Sequence, residues 1–290
     1  MKIFITGANG FIGKHLCFAL SNTNHQITAA VRDIKSLANF KNINYISVGN
    51  IAEKKDWNDL LFRHDCVIHC AGRAHKVYEN ENNSLEKYRL INFDTTKKIA
   101  IQCAMNGVKR LIFLSSIGVL GNNTNNRKPF LYSDEPNPID NYAISKFEAE
   151  KSLLEISNNT GLEIVIIRPP IVYGPFAPGN FNRLIKLIKT GLPLPFSRIN
   201  NQKSLIGVEN LVDIMIKCIN HPNAKGKTFL VSDGKDYSVP EIIKLIASSM
   251  GKKVHLFPIP LYLLKFIGSI FGKRKEINQL VGSLKIDNSY

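Results

Sequence analysis

Long apolar runs, tryptophan and acidic charge are all scarce in this 290-residue chain. No apolar stretch approaches the roughly 20 residues that a bilayer-crossing helix needs, so no transmembrane segment is expected. The start, MKIFITGANG, runs straight into a strand pattern and a glycine turn, unlike a signal peptide, and a cytoplasmic location is the expectation. The five cysteines (Cys17, Cys66, Cys70, Cys103, Cys218) are an odd number without metal-ligand spacing. Each sits in apolar surroundings, as buried thiols do, which argues against a disulfide framework and against a metal site. With 38 Lys and Arg against 23 Asp and Glu, the net charge is +15. The basic residues are scattered, and no aromatic-basic stripe or known nucleic-acid-binding motif goes with them. Nucleic acid is therefore not an expected partner; a solvated basic surface or an anionic small substrate accounts for the charge. Internal repeats and low-complexity tracts are missing too.

What is present is an alternation. Short runs rich in Ile, Val and Phe fall at 2–6, 26–31, 43–48, 65–71, 109–115 and 162–168. Helical patterns near 11–21, 56–63, 84–105 and 142–158 lie between them. That order reads as βαβ units, hence an α/β fold with a doubly wound parallel sheet of the Rossmann kind. After Arg168 the texture changes. PPIVYGPFAPGN (169–180) is a proline- and glycine-rich loop, followed by a helix near 180–190 and a turn-rich GLPLPFSRINNQ (191–202). SLIGVENLVDIMIKCI (204–219) resembles a strand entering a helix, and KTFLVSD (227–233) a last strand. SVPEIIKLIASSMG (238–251) carries Ser238 and Glu241 in capping-box spacing. Residues 1–170 are thus expected to form the sheet domain, with 204–233 returning to it. Residues 171–203 and 234–290 are expected to form a small C-terminal lobe. IPLYLLKFIGSIFGKRK (259–275) joins an apolar body to a basic end, which suits either an interfacial helix or one packed on that lobe. Packing on the lobe is the expectation, and membrane contact is not.

ITGANGFIG (5–13) sets Gly7, Gly10 and Gly13 between the first strand and a helix that opens with Phe11 and Ile12. Glycines let the backbone turn tightly and approach a pyrophosphate, and the helix N-terminus offers free N–H groups. The spacing is GxxGxxG rather than GxGxxG.

NYAISKFEAEKSLLE (141–155) begins a long helix behind Asp140 or Asn141 as N-cap. Tyr142 and Lys146, four apart, share one face of it. An ammonium beside a phenol favours the phenolate and lowers its ordinary pKa of about 10. Proton exchange with an alcohol or ketone requires that shift, although such a pair on its own also fits an exposed helix surface. RLIFLSSIGVLG (110–121) ends in Ser115 and Ser116 at the carboxyl end of a strand, where ligands of doubly wound sheets bind.

Together ITGANGFIG, LSSIGVLG, YAISK and IRPPIVYGP (167–175) resemble the extended short-chain dehydrogenase/reductases. More narrowly, they resemble the NAD-dependent epimerase/dehydratase group acting on nucleotide-sugars, over essentially the whole chain. The resemblance implies that 1–170 binds NAD(P) and that the lobe binds substrate. It makes Tyr142 the acid/base, Lys146 the residue that lowers its pKa and contacts the nicotinamide ribose, and Ser116 the catalytic serine. It places Asn50 and Ile51 at the adenine, Ala71 and Gly72 along the cofactor, and Asn92 in support of the site. Asn180 and Lys203 match uridine-diphosphate contacts, Lys203 standing where relatives often have Arg. GLPLPFSRINNQKSLIGVENLVD (191–213), KTFLVSDGKDYSVPEI (227–242) and LVGSLKID (280–287) resemble UDP-sugar 4-epimerase-like proteins and 4-keto-sugar reductases of surface-polysaccharide synthesis. Relatives of this kind continue past LKIDNSY (284–290), so the lobe reads as shortened. Family members often dimerise through the helix carrying the Tyr-x-x-x-Lys pair and its neighbour, so a homodimer is expected.

The stretch ITAAVRD (27–33) bears on the cofactor. An acid about twenty residues beyond the glycines ordinarily binds the adenosine ribose and disfavours a 2′-phosphate. By alignment with the family Val31 holds that position and Arg32 follows, suited to pairing with a phosphate; Lys35 could add charge. Alternatively, Arg32 is an exposed loop residue and Asp33 does the acid's work. NADP(H) is thereby favoured, with NAD(H) possible. The leading expectation is an NAD(P)H-dependent 4-ketoreductase on a UDP-4-keto-6-deoxy-N-acetylhexosamine, as in UDP-N-acetylquinovosamine synthesis. The alternative is a UDP-sugar 4-epimerase of the UDP-glucose or UDP-N-acetylglucosamine type. A non-catalytic dinucleotide sensor is a remote third, since Ser116, Tyr142 and Lys146 are all present.

Overall fold

The computed structural model describes residues 1–34, 40–74 and 84–289. β1 (Lys2–Thr6), α1 (Phe11–Leu20), β2 (Gln26–Val31) and β3 (Ile43–Ser47) open the chain. A single turn, α2 (Asn58–Leu61), precedes β4 (Cys66–His69) and α3 (Ser84–Arg89). One π-helical turn, Leu90–Asp94, leads into α4 (Thr95–Met105), so the helix expected over 84–105 is interrupted there. Then come β5 (Arg110–Leu114), α5 (Asn141–Thr160), β6 (Glu163–Arg168), the short β7 (Ile171–Tyr173), α6 (Gly179–Lys189) and β8 (Lys203–Gly207). The remainder comprises α7 (Val208–Lys217), β9 (Thr228–Leu230), β10 (Asp236–Tyr237), α8 (Val239–Ser249), α9 (Leu261–Ile270) and α10 (Arg274–Val281).

Seven strands form one parallel sheet in the order β3-β2-β1-β4-β5-β6-β9. The direction of winding reverses between β1 and β4, which makes the crevice outside their carboxyl ends the binding position of this architecture. The strands are near-continuous apolar runs because helices cover both faces. On one face Phe4, Val67, Leu111 and Phe113 pack with Trp57, Ile99 and Leu153, and Phe4 meets Trp57 edge-on at 6.3 Å. Truncating a buried aromatic in such a layer costs about 3–5 kcal/mol. The helix that carries the Tyr/Lys pair is capped at both ends. Asp140 Oδ1 accepts from the Ala143 N–H at 2.9 Å, and Gly161 (φ 76°) closes α5 in the left-handed region.

The chain divides into two compact units. The first is Met1–Gly121, Glu135–Pro169 and Val208–Val231; the second is Asn122–Asp134, Pro170–Gly207 and Ser232–Tyr290. Two expected boundaries move. Of 204–233, α7 and β9 return to the main sheet, whereas β8 pairs with β7 and β10 in a separate three-stranded sheet. A buried run such as KSLIG looks the same in either sheet, so its pattern could not say which one it joins. Residues 122–134, expected within the first domain, belong to the second. The Thr124 and Phe130 N–H groups donate to Ser283 O (2.8 Å) and Lys285 O (2.9 Å).

Within the second unit, Ile188, Leu194, Phe196, Leu205, Val239, Ile243 and Leu264 form the core. The expected capping box starts α8, the Ser238 N–H donating to Glu241 Oε2 at 2.7 Å. The 259–275 pattern is divided by Gly272 (φ 63°) into α9 and α10. Among the described residues no helix is long and apolar enough to cross a membrane.

Candidate active site

The glycine turn after β1 is needed for packing and leaves a set of donors open. A Cβ on Gly7 (φ 68°) would stand 2.7 Å from Ala71 Cα and N, at the end of β4. On Gly13 it would stand 2.8 Å from Ala8 Cα and overlap the Gly7 carbonyl. Only glycine permits this approach of turn, helix and strand. Gly10 is the N-cap of α1, where no side chain caps and the first turn holds no acid. The N–H groups of Phe11, Ile12 and Gly13 therefore meet neither a capping oxygen nor a competing carboxylate. This is the donor set that a dinucleotide pyrophosphate takes, and the residues fit that group.

Beside the turn, the Ala8 N–H donates to Ala30 O (3.3 Å), near the end of β2. Val31 is the buried last residue of β2, and Arg32 follows it exposed, its carbonyl accepting from Ser47 Oγ at 3.0 Å. Asn50 is exposed after β3, its Nδ2 donating to Glu53 Oε1 (2.5 Å) and its Oδ1 accepting from the Ala52 N–H (3.3 Å). Ile51 rests against the core. Lys35 lies outside the described residues.

The expected catalytic residues gather at the carboxyl end of β5. Ser116 N-caps a short 3-10 turn, its Oγ accepting from the Gly118 N–H at 3.1 Å. Tyr142 is half-buried in the first turn of α5, its ring edge-on to Tyr88 at 6.2 Å. Its phenol does not show the expected lowering: burial pushes it up to about 12, while a side-chain hydrogen bond with Ser116 pulls the other way. Lys146 is buried, and its Nζ donates to Leu114 O (2.8 Å) and lies 4.4 Å from the Phe113 ring centroid. Burial lowers this ammonium to about 8, against the opposing pull of Cys70 and Glu150. A Cβ on Gly72 would meet Lys146 Nζ at 3.3 Å and Asn92 Oδ1 at 3.2 Å, so the strand end, the ammonium and the π-turn asparagine converge. Asn92 is fully buried. Its Nδ2 donates to Arg73 O (3.1 Å) and Ser145 Oγ (3.0 Å), and its Oδ1 accepts from the Arg73 N–H (2.8 Å).

Two buried networks behind these residues were not anticipated. Thr96 Oγ1 donates to Asn92 O (2.7 Å) and therefore accepts from His69 Nε2–H at 2.9 Å. The ring is then neutral with its proton on Nε2, and Nδ1 accepts from Thr6 Oγ1 at 2.6 Å. Thr6 Oγ1 accepts in turn from the Ala71 N–H at 3.3 Å. One imidazole thus ties together the backbones of Ala71 and Asn92. Burial, with Lys146 adding to it, lowers its pKa to about 3. In the second network Ser115 Oγ donates to Glu150 Oε1 (2.5 Å), and Arg168 binds the same carboxylate twice, at 3.0 and 2.6 Å. His69 and Arg168 stand in otherwise apolar buried strands, whereas Glu150 lies on the mixed-polarity helix α5, where its sequence gives no sign of a buried partner.

In the second unit Asn180 is exposed in the first turn of α6, its Oδ1 accepting from Arg183 Nη1 at 3.4 Å. Lys203 is buried, and its ammonium is already engaged with Gln279 O (2.9 Å) and Gly282 O (2.8 Å). Burial pushes it down to about 8. Four of the five thiols are buried and Cys70 is half-buried; burial raises the pKa of all five, as in unreactive cysteines.

Residues 3–235 match the family model described as "NAD dependent epimerase/dehydratase family". A UDP-glucose 4-epimerase of Vibrio cholerae is 39% identical over 291 residues, spanning 100% of this chain and 88% of that protein. The N-acetyl-alpha-D-glucosaminyl-diphospho-ditrans,octacis-undecaprenol 4-epimerase of Escherichia coli O157:H7 is 26% identical over 297 residues, with 96% and 83% covered. Among solved structures, UDP-glucuronic acid 4-epimerase from Bacillus cereus in complex with UDP-glucuronic acid and NAD superposes with a TM-score of 0.78. It is 22% identical, with 99% of this chain and 90% of that one covered, and the likeness is one of fold. On its sequence, its sheet and its glycine turn, this chain belongs to the NAD-dependent epimerase/dehydratase family of extended short-chain dehydrogenase/reductase enzymes.

Proposed function

We propose that the chain is a UDP-sugar 4-epimerase that works with NAD. The observation that carries this reading is the 39% identity, over the whole chain, with a UDP-glucose 4-epimerase. NAD, when bound, supplies the hydride acceptor and donor for the sugar's C4. Everything else falls to side chains of this protein. Tyr142 takes the proton from the C4 hydroxyl and later returns it, with Ser116 hydrogen-bonded to the same phenol. A phenol pushed up to about 12 needs positive charge nearby to release its proton near neutral pH, and Lys146 is the cation on its helix face. Asn92 fixes Arg73 and Ser145 around that ammonium. The N–H groups that open α1 hold the pyrophosphate, with Asn50, Ile51 and Arg32 at the adenosine end. Asn180 and Lys203 serve the uridine diphosphate, Lys203 through whichever N–H its two carbonyl partners leave over.

One observation favours the 4-ketoreductase instead: Val31 stands where a ribose-binding acid would disfavour NADP, and Arg32 is exposed directly after it. A reductase exchanges its cofactor at every turnover, whereas an epimerase recycles it. The test is to incubate the purified protein with UDP-glucose, and separately UDP-N-acetylglucosamine, without added cofactor. Interconversion with the galacto epimer supports the proposal. No interconversion, together with stoichiometric NADPH oxidation on a UDP-4-keto-6-deoxy sugar, overturns it in favour of reduction. We further infer a homodimer through α4 and α5, where Ile101, Met105 and Leu154 are exposed. Sedimentation of a single monomeric species at micromolar concentration would refute that assembly.

A further inference from the structure

α9 turns only two of its residues inward. Leu264 and Gly268 are buried, and Gly268 sits so close to Ile277 of α10 that a Cβ there would meet that side chain at 2.5 Å. The other side is an apolar surface. Tyr262, Phe266 and Ile270, at successive i, i+4 positions, are 76%, 62% and 65% exposed, and Phe271 is 73% exposed. Leu261, Leu263, Ile267 and Phe257 widen this surface. A solvated helix normally presents charge on its outer face, whereas this one presents large side chains that gain by leaving water.

The sequence around the stripe is strongly basic. Residues 251–275 contain six basic residues (Lys252, Lys253, Lys265, Lys273, Arg274, Lys275) and no acid. Lys265, Arg274 and Lys275 are exposed, while Lys273 pairs with Glu276 at 3.5 Å. We propose that α9 docks the protein on an anionic phospholipid surface. The helix lies in the plane of the headgroups, Tyr262, Phe266, Ile270 and Phe271 enter the acyl boundary, and the basic cluster meets lipid phosphates. Its ten residues extend about 15 Å, half the hydrocarbon thickness, so it lies on the bilayer and does not span it. Charge selects this occupant over a second copy of the chain, because a copy would bring the same six cations and, of acids, only Glu276, which Lys273 already engages.

The experiment is flotation of the protein with phosphatidylcholine vesicles and with mixed phosphatidylglycerol/phosphatidylcholine vesicles. Binding is expected to the anionic vesicles only, weakening with added salt. Each basic residue near such a surface contributes roughly fivefold to binding. The triple substitution Lys273→Ala, Arg274→Ala, Lys275→Ala should therefore weaken binding at least about tenfold, after discounting the paired Lys273. Phe266→Ser with Ile270→Ser should abolish it while leaving the thermal melting of the protein unchanged. Equal binding to neutral vesicles, or none to anionic ones at low salt, overturns the proposal. Loss of an oligomer in the Phe266/Ile270 variant, with no vesicle binding by the wild type, would assign the stripe to a second copy instead. None of these readouts depends on the epimerase assignment.

Discussion

Acidifying the protein from about pH 7.5 to about pH 5 should cost it about 2 kcal/mol through the single imidazole of His69. In the fold this ring is neutral, donating from Nε2 to Thr96 and accepting at Nδ1 from Thr6, and burial holds its pKa near about 3. In the unfolded chain the same group titrates at its ordinary 6.5. Between those two values the unfolded state binds a proton that the native state refuses. Stability from this residue is therefore complete above pH 6.5 and is lost as the pH falls toward 3. Each pH unit in that window is worth about 1.4 kcal/mol, so the interval from 6.5 down to 5 gives about 2 kcal/mol. The assay is urea unfolding at both pH values for the wild type and for His69→Gln, which removes the titration and keeps an amide to hydrogen-bond the threonines. Other groups titrating in this range, His64 among them, contribute to both proteins and cancel in the difference. The wild type should lose about 2 kcal/mol more than the variant on acidification. An equal loss in the two proteins would refute the neutral, bridging role of His69.

Tyr142→Phe should lower kcat by roughly 10²- to 10⁴-fold without altering the melting temperature, as measured by product formation and calorimetry. Glu150→Leu leaves the Arg168 guanidinium buried without its carboxylate and should cost about 3–5 kcal/mol by denaturant unfolding. Adding Arg168→Met should restore most of that loss; a double variant as unstable as the sum of both singles would count against the pairing. Gly13→Ala forces a methyl against Ala8 Cα and the Gly7 carbonyl, so both melting temperature and NAD affinity should fall. Unchanged NAD binding in that variant would detach the turn from the cofactor.

Much of this architecture could be read from pattern alone, for physical reasons. Strands buried on both faces must be apolar along their length, so 2–6, 26–31 and 162–168 stand out from the amphipathic helices between them. The cap of α8 was legible as well, and that of α5 to within Asp140 or Asn141, because Asp140 and Ser238 satisfy orphaned N–H groups within three residues of themselves. What escaped is long-range. The sheet that β8 joins depends on partners some thirty residues away in sequence, and the sequence of β8 carries no trace of them. The π turn around Asn92 interrupts a periodicity that would otherwise run from 84 to 105; its asparagine is held by Arg73 and Ser145, on other elements. His69 escaped because a lone histidine in an apolar run does not disclose that threonines from β1 and α4 flank it. The charge state of Tyr142 was misread for a related reason. Helix spacing brings Lys146 onto its face but does not reveal that burial outweighs the hydrogen bond with Ser116.

A UDP-sugar 4-epimerase oxidises and reduces C4 on one enzyme molecule with no cofactor consumed. UDP-glucose deuterated at C4, incubated with the purified protein and no added nucleotide, tests it most directly by NMR and mass spectrometry. The expected product is UDP-galactose that retains deuterium at C4. Absence of UDP-galactose, or UDP-galactose carrying hydrogen in place of deuterium at C4, would contradict it.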